Sequence, residues 1–160
     1  MQRLKQNNSG AALPLGEDEL LSASTTQTLP SGAWCHVRMR LAINGEAERS
    51  VHLYDDETHS AFHHERVVVP AAVVADVSAA VRAALAERQS LPEQDEDDSQ
   101  ALYRTIRFRD EKGQSTAIAV EYQNDRPVER AVAFEAAWRL LARQFPSTRP
   151  GQQLIPGLVW

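Results

Sequence analysis

The chain predicts an α+β fold: a single antiparallel sheet of about five strands, in the order β-β-β-α-β-β-α, with two helices packed on one face and extended N- and C-terminal arms. Three observations carry that expectation. Residues 34–43 alternate in hydrophobicity with a period of two. Two glycine-bearing loops, at Asn44-Gly45 and at Glu111-Lys112-Gly113, each join a pair of strand-like segments. Apolar residues then recur at spacings of three and four along 74–85 and 134–145, as on a helix that buries one face.

Residues 1–32 are mostly small and polar, with breaks at Pro14, Gly16, Pro30 and Gly32, and read as an arm in which "EDELLS" makes at most one helical turn. From Trp34 onward Cys35, Val37, Met39, Leu41 and Ile43 alternate with Trp34, His36, Arg38, Arg40 and Ala42, the pattern of a half-buried strand. "SVHLYDD" returns after Asn44-Gly45. A two-residue loop would set the apolar row opposite Glu48, Ser50 and His52. A three-residue bulged loop ending at Gly45 instead sets Val37 opposite Val51 and Cys35 opposite Leu53. The second register keeps one face apolar and is the one expected; it also places His36 across from His52 and Trp34 across from Tyr54.

"AFHHERVVV" is the third strand, and Pro70 opens a helix where its missing N–H costs nothing. Val74, Val77, Val81 and Leu85 form that helix's stripe, and Pro92 with the acidic run "EQDEDDSQ" ends it. "LYRTIRFRD" and "STAIAVEYQ" make a second hairpin. In "NDRPVERAVAFEAAWRLLARQF", Asp125 is placed as the N-cap, Pro127 in the first turn, and Phe134, Trp138, Leu141 and Phe145 on the stripe, with Pro146 as the stop. Burying each large apolar side chain contributes roughly 1.5–3 kcal/mol. The two stripes and the strand faces can therefore build one core in a single domain over 33–146. This order, with the short segment at "EDELLS" ahead of two hairpin–helix units, resembles that of the type III secretion chaperones; it is a likeness of order and transfers no residue role.

Composition narrows the function. A formal charge of −5 argues against a general phosphate-binding surface. One cysteine, Cys35, excludes an intramolecular disulfide and the cysteine-rich zinc frameworks. The only apolar patch near the start, "AALPL", is too short for a signal-peptide core, and no stretch has the length of a membrane span, so a cytoplasmic acidic protein is expected. Among seven glycines there is no G-x-S-x-G elbow, phosphate loop or G-x-G-x-x-G fingerprint. The acidic run fails as a calcium loop: with Asp95 as position one, Gln100 falls where glycine is needed and Ile106 where the bidentate glutamate belongs.

Three features could carry function. All five histidines, at 36, 52, 59, 63 and 64, fall in the first half of the chain. His36, His52 and one of His63 or His64, with His63 taken first, form the candidate zinc set of a small metal-dependent enzyme, provided the sheet register brings them to one face. Parity puts His63 with Glu65, and His64 with Phe62 and Arg66; the ordinary alternative is a row of half-exposed strand residues. Adjacent strand residues point apart, so Cys35 and His36 make no nucleophile–base dyad, and Cys35 reads as a buried inert thiol. "YRTIRFR" is aromatic and basic, as on a single-stranded nucleic-acid platform, but Ile106 and Phe108 share the parity a core needs.

The tail 147–160 differs in kind: Leu154, Ile155, Leu158, Val159 and Trp160 are apolar in a terminal segment broken by Pro and Gly. Such residues either cover their own domain or anchor in a partner. The expectation is a non-enzymatic interaction or assembly module, self-associating or bound to another protein, with no cofactor.

Overall fold

The computed structural model describes residues 15–28, 34–54, 60–89, 102–110, 112–123 and 126–145. Its strands are β1 (Glu19–Thr28), β2 (Trp34–Ala42), β3 (Glu46–Tyr54), β4 (Ser60–Val68), β5 (Leu102–Arg109), β6 (Ser115–Gln123) and β7 (Arg126–Pro127). Two helices, α1 (Ala71–Gln89) and α2 (Val132–Ala142), complete it. All strands join one antiparallel sheet in the spatial order β4-β3-β2-β1-β5-β6-β7.

The α+β class, the single antiparallel sheet and the two helices are as expected; the strand number and order are not. The sheet has seven strands rather than about five. The added central strand, β1, lies within the segment read as a polar arm, and residues of "EDELLS" enter a strand instead of a helical turn. Leu21, Ala23 and Thr25 of β1 are buried on the helix side, while Ser22, Ser24 and Thr26 alternate onto the other face. A Thr- and Ser-rich strand hidden between β2 and β5 has the right period but little hydrophobic contrast.

The β2–β3 register matches expectation: Val37 pairs with Val51, Cys35 with Leu53, His36 with His52 and Trp34 with Tyr54. Gly45 makes it possible, at φ +93° with its N–H donating to Ala42 O at 3.0 Å. Asn44 Oδ1 accepts the Glu46 N–H across the same turn. The β5–β6 loop repeats the device with Gly113 at φ +77° and Asp110 Oδ1 accepting from Lys112 N and Gln114 N.

The second helix starts later than the expected Pro127. Pro127 pairs with Tyr122 in β7, and α2 begins at Val132. The expected cap, Asp125, lies outside the described residues. Ala131 at the N-cap has no side chain that can cap, so the Glu87 carboxylate of α1 accepts the Ala133 N–H instead, at 3.1–3.2 Å.

Both helices pack over one face, where Val77 and Val81 of α1 and Phe134, Trp138 and Leu141 of α2 meet Leu21, Met39, Leu41, Ile106, Phe108 and Ile118 of the sheet. Phe145, beyond α2, is buried in the same core. A satellite cluster of Cys35, Val37 and Val51 sits at the far end of β2 and β3. Among the described residues no helix is long and apolar enough to cross a membrane.

Candidate interaction surface

Strand periodicity divides the chemistry between two faces. On the helix side lie Arg49, His63 and Glu65 of β3 and β4, with Arg104 of β5. Arg49 is fully buried; its Nε donates to Glu65 Oε1 at 2.6 Å, and its guanidinium lies 5.0 Å from the centre of the Phe145 ring. Arg104 is buried over Tyr122 at 4.2 Å and Trp138 at 5.2 Å. Both arginines thus serve as packing as much as charge.

On the other face the described elements place no helix. Its corner over β2, β3 and β4 carries a chain of ring contacts. Trp34 stacks on Tyr54 at 4.2 Å, Tyr54 lies 5.2 Å from His52, His52 meets Phe62 edge-on at 4.7 Å, and Phe62 stacks with His64 at 6.1 Å. Registers 34↔54 and 52↔62 put these rings side by side on a pleated surface, where cross-strand aromatic pairs are worth about 0.2–1 kcal/mol each. Trp34 is 46% and Phe62 58% exposed. Tyr54 Oη bonds His52 Nδ1 at 3.2 Å, and Thr26 Oγ1 bonds His36 Nδ1 at 3.1 Å, which orients both imidazoles. Burial, with Arg38 and His52 adding, holds His36 below the ordinary histidine value.

Toward the other end of the strands the same face is charged and mostly paired. Arg40 pairs with Glu19, Arg66 Nε lies 3.0 Å from Glu48, His64 lies 3.6 Å from Glu48, and Arg38 Nε donates to Ser22 Oγ. Between β1 and β6 the short side chains of Ser22, Ser24, Thr105, Ala117 and Ala119 surround Arg107, which lies between Ser22 and Ala117. The face therefore combines an aromatic corner with a partly paired polar field.

The expected zinc set is not brought together. His36 and His52 face each other on the uncovered side, whereas His63, opposite Val51, lies on the helix side beside Glu65. His64 is the one of that adjacent pair that joins the uncovered face; among the described residues no three His, Cys, Asp or Glu side chains converge as a metal would need. His59 and the tail residues Leu154, Ile155, Leu158, Val159 and Trp160 lie outside the described residues. In "YRTIRFR", Ile106 and Phe108 are core and Arg104 packs beneath the helices. Arg107 and Arg109 emerge on the other face, bonded to Ser115 Oγ and to Gly16 O. A cavity of about 10 Å³ between α1, β6 and α2 holds at most one water.

Sequence reasoning paired His36 with His52 and Trp34 with Tyr54 but missed the ring chain as a unit, because its link through Phe62 and His64 depends on the β3–β4 register. A signal was present in the shared parity of Phe62, His64 and Arg66. Comparison with protein-family models, with curated proteins and with solved structures finds no match for this chain.

Proposed function

We propose that the protein is a non-enzymatic protein–protein interaction or assembly module, a subunit, adaptor or chaperone-like part of a larger complex, acting in the cytoplasm. The observation that carries this reading is the run of rings from Trp34 to His64 on a sheet face over which the described residues place no helix. Large aromatic side chains held by neighbours lose little entropy on binding and supply most of the energy of typical contact surfaces. The apolar tail residues Leu154, Ile155, Leu158, Val159 and Trp160 are assigned to the same role on sequence grounds. A zinc enzyme built on His36, His52 and His63 is disfavoured by the opposite faces of its ligands.

Single-stranded nucleic acid could stack on the same rings, but Arg40 and Arg66 are paired with Glu19 and Glu48 and the chain carries a charge of −5. The test is sedimentation velocity and native mass spectrometry on full-length protein and on W34A/F62A, together with reciprocal purification of any identified copurifying protein. The double variant is expected to weaken self-association or partner binding about ten-fold or more while keeping its far-UV circular dichroism. A wild-type chain that stays monomeric and retains no partner refutes the reading. A salt-dependent shift with single-stranded oligonucleotides, abolished by W34A/F62A, replaces it with the nucleic-acid one.

A further inference from the structure

The sheet's two edges are unequal. β7 is two residues long, contains Pro127, which has no N–H to offer a ladder, and covers only Tyr122 and Gln123 of β6, whose remaining edge begins with Ser115, Thr116 and Ala117 and offers no large apolar side chain at its outer end. β4 is nine residues long, pairs with β3 without a bulge over its whole length, and contains no Pro, Gly or Lys. Among the described strands it has a neighbour on one side only. Val69 N–H donates to Gly45 O at 2.8 Å, so by the strict alternation of an antiparallel ladder the odd-numbered residues of β4 bond β3. The N–H and C=O groups of Phe62, His64, Arg66 and Val68 therefore point outward. Two of the side chains at these positions, Phe62 at 58% and Val68 at 78%, are among the most exposed large apolar groups of the described residues.

The order of residues along β4 complements itself when reversed. Read antiparallel about His64, Phe62 falls opposite Arg66, a ring against a guanidinium, and His63 falls opposite Glu65. The His63 and Glu65 positions are the non-hydrogen-bonded pairs of such a ladder, in which side chains approach most closely. His63 Nε2 is shielded from solvent, makes no hydrogen bond and stands 4.0 Å from its own Glu65 Oε2. Shifting the centre by one residue to 65 would set Glu65 against Glu65, a like-charge contact, and His64 against Arg66.

We propose that β4 pairs with β4 of a second copy of this chain, antiparallel and centred on His64, joining two sheets into one. This rests on the interaction reading above and names its partner. A two-fold contact of this kind closes on itself, whereas a head-to-tail contact of β4 with residues 115–120 of β6, which β7 leaves unpaired, would not close; trapping through H64C separates the two. In the joined sheet the rings of each copy come to flank the seam through Phe62.

The test uses the full chain. Sedimentation velocity is expected to give a weight-average mass rising with concentration toward twice 17.8 kDa. H64P removes an outward N–H without touching the bonds to β3, and should weaken association at least about ten-fold with circular dichroism unchanged. A second variant is independent of proline's effect on folding: H64C, in a Cys35→Ala background, should form a disulfide-linked dimer on mild oxidation. Opposed Cα atoms lie about 5.5 Å apart. R66C should not, since the two copies of residue 66 sit about four residues apart along the seam. A dimer trapped by R66C and not by H64C overturns the register, and a wild-type chain monomeric at every concentration overturns the proposal. If that monomer still loses an identified partner in W34A/F62A, the interaction reading stands without this inference; a monomer with no partner removes both.

Discussion

Replacing Glu65 with alanine takes the carboxylate away from the buried Arg49 guanidinium, which lies over Phe145. The Arg49 side chain is fully buried and that of Glu65 is 11% exposed, so water cannot replace the lost oxygen without opening the gap between sheet and helices. Burial pulls the Arg49 pKa down from its usual value, and the Glu65 carboxylate pushes it back only in part. Breaking one side of such a buried pair costs about 3–5 kcal/mol. In a domain of this size each kcal/mol moves the melting temperature by roughly 2–4 °C, so E65A should melt roughly 6–20 °C lower. Converting both partners, in R49M/E65Q, removes the charge and its desolvation together and should return to within about 2 kcal/mol of the parent. Urea unfolding of the parent, both single variants and the double variant gives the coupling energy directly. An E65A cost below about 1 kcal/mol would place the pair among exposed ion pairs and refute the claim that it is enclosed.

Three further outcomes follow from single contacts. E87A withdraws the acceptor for the Ala133 N–H at the start of α2, where no local side chain can substitute, and should cost about 0.5–2 kcal/mol in urea unfolding; no loss would show that solvent caps the helix equally well. At Gly45, φ is +93° and an added Cβ would stand 2.4 Å from the Val69 carbonyl oxygen, so G45A should destabilise by about 1–3 kcal/mol, and a neutral result would contradict the bulged turn. Burial raises the Cys35 thiol from 9.0 to about 11, so native protein should react with a thiol reagent at pH 8 far more slowly than unfolded protein. Because the folded state holds this proton more tightly, the contribution is present below pH 9 and is lost as pH rises from 9 toward 11; a C35A variant should show a flatter decline there.

Much of the left half of the sheet could be read directly from the residues. A one-residue slip in β2–β3 would have turned His52 and Ser50 toward the core, and the cost of that slip is what made the register predictable from Val37, Val51, Cys35 and Leu53 alone. The α2 stripe was also legible: Phe134, Trp138 and Leu141 are buried where spacing put them, and Phe145 is buried just beyond the helix end. On α1 the stripe moved, with Val77, Val81 and Ala84 buried and Val74 and Leu85 only half-buried, because an alanine-rich helix has little hydrophobic contrast around its circumference.

β1 escaped notice because its uncovered face is Ser22, Ser24 and Thr26 and its buried face includes Ala23 and Thr25; centrality in a sheet is a property of the neighbours, not of the strand's own residues. β7 is two residues long and has no pattern to read. For the site, parity correctly separated His63 from His64. Which of them would meet His36 and His52 required the position of β4 relative to the helices, a long-range fact.

Amide hydrogen exchange along β4 tests the central claim most directly, because the two sets of N–H groups in that strand report different neighbours. In dilute protein the amides of His63, Glu65 and Val67 should be protected by β3, while those of Phe62, His64, Arg66 and Val68 exchange quickly. At concentrations where the mass approaches twice 17.8 kDa, the second set should become protected as well, and W34A/F62A should abolish that change. If Phe62, His64 and Arg66 amides exchange equally fast in dilute and associated protein, β4 is not the contact and the account is wrong.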